Sequence, residues 1–216
     1  MIGVIELEIF ISTDQFNFIK KQVQNLVNGQ STATDDGVIN ALKSMTLERV
    51  IGKFPKIVEE QIQFLQPITM IDNKEQAEAF LSKLKPYVIP FKVSEQGIKK
   101  LFPKAKKLKV PSLDEIDLRE IVYFSWIDRT SNKRYIVINR DNKLIGIEGS
   151  FTPSNQKGVC SLCNSHKEVG MFLAKEKGKE QGTFKTRGNY ICYDSKSCNE
   201  SLTSLDKLYE FVDLFK

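Results

Sequence analysis

Every cysteine in this 216-residue chain falls within 39 positions: Cys160, Cys163, Cys192 and Cys198. Their spacing is C-x2-C, a 28-residue insert, then C-x5-C. Two thiolates separated by two residues can grip one side of a metal ion from a tight turn, and a second pair can close the tetrahedron. Such a site joins segments remote in sequence, and with four protein ligands it leaves no open position for a substrate water. The pattern predicts a structural Zn2+ site with Cys160, Cys163, Cys192 and Cys198 as ligands. It would tie the turn at Cys160–Cys163 to a strand end at Cys192 and to a loop at Cys198, a layout like a treble clef.

That reading depends on the thiols staying reduced. The first ten residues, MIGVIELEIF, lack a basic leader region and carry Glu6 and Glu8 where a secretory signal would be apolar. The longest nearly apolar stretch, residues 121–127, is far short of the roughly 20 residues a membrane span needs. A cytoplasmic location is therefore expected, where disulfides are rare and metal ligation is favoured.

Residues 1–86 read as a helical domain. Ser12-Thr13-Asp14-Gln15 has capping-box spacing, and Phe16, Ile19, Val23, Leu26 and Val27 then share one helical face until Gly29. Asp35 and Asp36 begin a second helix with Val38, Leu42 and Met45 inward and a restart at Thr46. Pro55 opens a third, with Val58, Ile62 and Leu65 as its stripe. Asp72 opens a fourth, with Ala77, Phe80, Leu81 and Leu84 inward. Together they predict a four-helix bundle.

Residues 87–216 read as a second, α+β domain. Ser94 caps a short helix that Pro103 ends. Residues 121–127, 134–139 and 144–148 are β-branched and aromatic runs separated by turn residues, which predicts an antiparallel meander. Val169, Met171 and Leu173 alternate likewise, as do Tyr190 and Cys192. A last helix is expected from Thr203, with Leu205, Leu208, Val212 and Phe215 inward. The net charge of +5 divides as −2 over residues 1–86 and +7 over residues 87–216, which suits an acidic partner for the second domain.

The metal site would use every thiol, which removes the strongest nucleophile. The one histidine, His166, lies three residues past Cys163; with four thiolates available, a surface or supporting place suits it better than ligation or base catalysis. No G-x-S-x-G, P-loop or G-x-G-x-x-G occurs. The chain is therefore not expected to be an enzyme. A contact surface is expected instead at Phe184, Lys185, Arg187 and Tyr190, where aromatics and cations interleave beside the metal site. Phe211 lies about 90–100° from the centre of the last helix's stripe, which places it at the edge of the core. Tyr190 and Phe211 also suit ordinary core positions.

An ordered set of motifs carries a resemblance. P-Y-V-I-P-F at 86–91, K-L-K-V-P at 107–111, S-W at 125–126, N-K-R-Y-I at 132–136, G-V-C-S-L-C-N at 158–164, R-G-N-Y-I-C at 187–192, then Cys198 and Y-E-F-V-D at 209–213 run the length of the chain. In this set the sequence resembles the FusB-type fusidic acid resistance proteins, which bind elongation factor G. The resemblance implies a helical bundle followed by a zinc domain that grips the translocase in a 1:1 complex, with ribosomal RNA nearby. Fusidic acid locks elongation factor G on the ribosome after GTP hydrolysis, and family members promote its departure without modifying the drug. It also implies Arg187, Tyr190 and Phe211 as partner contacts. A family aromatic ahead of the first cysteine is Val159 here. The alternative is a zinc-stabilised RNA-binding module, using the lysines between Lys99 and Lys109 on phosphates.

Overall fold

The computed structural model describes residues 7–105, 107–177 and 184–215. The chain divides into two compact units, Met1–Ile89 and Pro90–Lys216.

Helix α1 (Thr13–Gln30) starts at the capping box: Gln15 Oε1 accepts the Ser12 backbone N–H at 2.9 Å. It buries Phe16, Ile19, Val23 and Leu26. Helix α2 (Asp36–Ile51) is capped by Asp35, which accepts the Val38 N–H at 2.9 Å. It runs through Thr46 without a restart, because that hydroxyl donates back to the Leu42 carbonyl at 2.7 Å and is satisfied inside the helix. The inward face differs from expectation. Val38 and Met45 are exposed, while Thr46 and Val50 are buried. Apolar residues surround this helix, so periodicity alone does not select a face.

The four-helix bundle also needs correction. Pro55 lies in no helix and Val58 is an exposed N-cap, so α3 (Glu59–Leu65) has only seven residues. The chain then tightens into a 3-10 turn, Gln66–Met70, with Pro67 in its first positions, and this turn contributes the fully buried Ile68. Helix α4 (Lys74–Leu84) is capped by Asn73 rather than Asp72, and buries Ala77, Phe80 and Leu84. A bridge between Ile11 and Val88 closes the unit.

In the second unit Ser94 caps α5 (Glu95–Leu101) as expected, accepting the Gly97 N–H at 3.1 Å. The sheet is a five-stranded antiparallel meander in chain order: β1 (Tyr123–Asp128), β2 (Lys133–Arg140), β3 (Lys143–Val159), β4 (His166–Lys177) and β5 (Phe184–Cys192). Strand β3 is 17 residues long because a bulge between Pro153 and Gln156, with Asn155 at φ 54, absorbs the proline without ending the pairing. Two short helices follow, α6 (Ser195–Ser201) and α7 (Asp206–Asp213).

Each sheet face carries a core. Phe124, Tyr135 and Val137 meet Phe91, Ile98 and Phe102 on one side. Gly146 permits that approach, since a Cβ there would come within 2.8 Å of the Phe102 ring. Tyr123, Ile136, Ile138, Ile147 and Phe172 meet α6 and α7 on the other. The edge of β1 is closed by a side chain: buried Asn199 accepts the Val122 and Tyr123 N–H groups at 2.7 and 3.1 Å and donates to the Tyr123 carbonyl at 3.1 Å. No helix among the described residues is long and apolar enough to cross a membrane.

Candidate metal centre

The first cysteine pair sits in the turn between β3 and β4. The Cys160 N–H donates to the Ser165 carbonyl at 3.0 Å, and the Asn164 N–H donates back to the Cys160 carbonyl at 2.9 Å. Asn164 takes φ 54, a conformation asparagine tolerates better than most residues. The Ser161 N–H donates to the Tyr190 carbonyl at 2.9 Å, which pins this knuckle to strand β5. Cys192 ends β5. Cys198 lies within α6, not in a loop as expected, and Asp194 caps that helix by accepting the Lys196 and Ser197 N–H groups at 3.1 and 2.9 Å.

Turn, strand end and helix bring all four sulfurs within 4.8 Å of one another. Cys160 and Cys198 are 3.8 Å apart and Cys163 and Cys192 3.7 Å. A tetrahedron with sulfur about 2.3 Å from its centre has edges of about 3.8 Å, so the separations fit a bound ion. A disulfide would need about 2.05 Å. The Leu162 and Cys192 N–H groups point at Cys160 Sγ, at 3.3 and 3.2 Å, and favour its thiolate. Hydrogen bonds from Cys163, Cys192 and Cys198 push the Cys160 thiol far below its ordinary range. Cys198 is pushed far above it by its hydrogen bonds with the other three cysteines. Four thiols this close cannot all ionise without a compensating cation.

A groove of about 380 Å³ runs beside the knuckle, lined by Val159, Asn164, Asn189, Lys207, Glu210 and Phe211. The residues expected to make contacts distribute around it unevenly. Val159 and Tyr190 are exposed, at 58% and 45%. Strand alternation puts Lys185 and Arg187, both exposed, on the face shared with Asn189, and Tyr190 on the other, opposite Met171. Phe211 lies in the core rather than at its edge. It is 2% exposed, with its ring 5.8 Å from Phe172 and 5.0 Å from Phe215, and it meets the groove only as part of its lining. Phe184 begins β5, but its side chain is outside the described set, as are Lys106 and residues 178–183. His166 is exposed at the start of β4, opposite Val159.

The sequence reading passed over Arg134, although strand alternation puts this charge on the same inward face as Ile136 and Ile138. It also passed over Lys167, whose ammonium donates to the Ser197 carbonyl at 2.6 Å and to Ser201 Oγ at 2.7 Å, on the helix that carries Cys198.

Two family models match the chain: elongation factor G-binding protein, N-terminal, over residues 10–92, and the FBP C-terminal treble-clef zinc-finger over residues 101–209. Six solved chains match it. One of them, the fusidic acid resistance protein FusC, is 34% identical over 98% of this chain and 100% of its own, with a TM-score of 0.83. No curated protein matches.

Proposed function

Because the chain belongs to the elongation factor G-binding protein family, matched by its models over both units, we propose that it binds elongation factor G and promotes its release from ribosomes stalled by fusidic acid. Zn2+ held by Cys160, Cys163, Cys192 and Cys198 would brace the knuckle. The observation that carries this reading is an exposed set fixed to that knuckle: Val159 beside the groove, Lys185 and Arg187 on the strand face of Asn189, and Tyr190 on the other face, its backbone carbonyl held by the Ser161 N–H. Large side chains on a fixed base lose little freedom when a partner covers them, which is what contact hot spots need.

Release needs no catalytic group. A protein that binds elongation factor G more tightly in its departing state than in its stalled state shifts the equilibrium by the ratio of the two affinities. The complex is expected to be 1:1, formed in the cytoplasm, and to protect translation from fusidic acid.

Ribosome-dependent GTP turnover by elongation factor G, with fusidic acid and increasing amounts of this protein, tests the reading. Turnover should recover, and the two proteins should co-elute on gel filtration at micromolar concentration. Binding without recovery would refute the release step alone. Tight, salt-sensitive RNA binding with no complex would favour the RNA-binding alternative.

A further inference from the structure

Arg134 is 1% exposed, yet its recorded partners are all neutral. Its Nε donates to Ser125 Oγ at 2.9 Å, one terminal nitrogen donates to the Cys192 carbonyl at 2.5 Å and to the Tyr193 carbonyl at 3.3 Å, and the guanidinium lies 4.8 Å from the Phe151 ring centroid. Among the described residues no carboxylate pairs with it. Arginine does not shed its proton in a protein, so a full positive charge is held in the core. A buried charge met only by dipoles and a ring is poorly compensated, and such charges persist where an opposite charge is close.

We infer that Arg134 is the counter-cation and positioning residue of the tetrathiolate metal centre. This rests on the metal reading above. A divalent ion with four thiolates carries a net charge of −2, which a buried site must offset. Arg134 holds the carbonyl of one ligand residue, Cys192, and that of its neighbour Tyr193. Lys167 does the same on the other arm, through the Ser197 carbonyl directly before Cys198. Each cation thus clamps the segment carrying one ligand of the second pair. Lys167 also answers the Asp194 carboxylate, so of the two Arg134 is the cation whose charge is left for the centre.

The test is zinc affinity by chelator competition on the full-length, zinc-loaded protein and on Arg134→Met, Arg134→Lys and Lys167→Met. Arg134→Met should bind zinc on the order of 10–100-fold more weakly, the range for residues that support metal ligands. Arg134→Lys should fall between it and the wild type, because an ammonium keeps the charge but cannot span the same three acceptors. Lys167→Met should weaken binding in the same direction. A purely packing role would lower the melting points of metal-loaded and metal-stripped protein equally and leave the affinity unchanged. Wild-type affinity in folded Arg134→Met therefore overturns the inference. If that variant does not fold, wild-type affinity in Arg134→Lys does so. A wild-type chain without stoichiometric metal would sink the metal reading itself, a result distinct from indifferent variants of a loaded protein.

Discussion

In the helical unit, distant parts of the chain meet through side-chain packing alone: Ile19, Leu26, Leu65, Ile68 and Leu84 form one cluster, with the Ile11–Val88 bridge joining its ends. In the sheet unit, packing of the same kind covers both faces, but the knuckle, the end of β5 and α6 are also joined by four sulfurs at a single point. A packed cluster loses contacts one at a time and partly relaxes. A tetrahedral centre that loses one ligand loses its closed coordination, and metal binding free energy is folding free energy. The two units should therefore fail in different ways.

Cys160→Ser should give the largest effect. It removes the sulfur that accepts both backbone N–H groups, and zinc-finger sites hold their metal with about 10–16 kcal/mol. Hydrogen exchange should show protection lost in β5, α6 and α7 and kept in α1 to α4. Equal loss in both units would break the comparison.

Phe211→Ala should come next. Its ring is buried against Phe172 and Phe215, and truncating such a ring costs about 3–5 kcal/mol. Tyr190→Ala gives the opposite profile: stability within about 0.5 kcal/mol of wild type, but a loss of about 2 kcal/mol or more in binding elongation factor G. Denaturant melts together with calorimetric titration separate the two. A stable Phe211→Ala that binds poorly would reassign that ring from the core to the contact surface. In the helical unit Leu65→Ala, fully buried, should cost about 2–5 kcal/mol. Its zinc content should stay at the wild-type level, so an accompanying loss of zinc would erase the distinction between the units.

What could be read from the sequence was mostly what is decided locally. The caps at Ser12, Asp35 and Ser94 need only residues three positions away, and the cysteine pairs name their own chemistry. The rest turned on tertiary context. Pro153, Ser154, Asn155 and Gly158 look like a turn, and only pairing with β4 shows that a bulge keeps them in β3. Helix α6 has no apolar stripe, so Asp194 at its cap was its one signal. Phe211 was placed at the edge of the core by its angle from a stripe of Leu205, Leu208, Val212 and Phe215. Leu205 and Phe215 lie outside α7, and Leu208, Phe211 and Val212 alone make the buried i, i+3, i+4 set. Arg134 was hidden because a charge within a strand reads as a solvated residue until its neighbours are known.

The smallest effects offer the sharpest contrast, because the same capping chemistry occurs in both units. Asn73→Ala removes the cap of α4, where the side-chain oxygen accepts the Gln76 N–H at 2.9 Å, and should cost about 0.5–2 kcal/mol with zinc binding untouched. Asp194→Ala removes a cap of similar strength from α6, but that helix carries Cys198, so weaker zinc retention should accompany the loss. The two also differ in pH dependence. Burial would raise the Asp194 carboxyl, but its hydrogen bonds from the Ser197 and Lys196 N–H groups outweigh that and lower it. A depressed carboxyl stabilises the fold above its unfolded pKa of about 4, and that contribution is lost as pH falls through the folded value. Thermal melts of zinc-loaded wild type and Asp194→Asn should thus differ at neutral pH and converge in acid, whereas the gap between wild type and Asn73→Ala should not depend on any titration of Asn73. A constant gap for Asp194→Asn across that range would show that its charge plays no part in holding α6 to the metal.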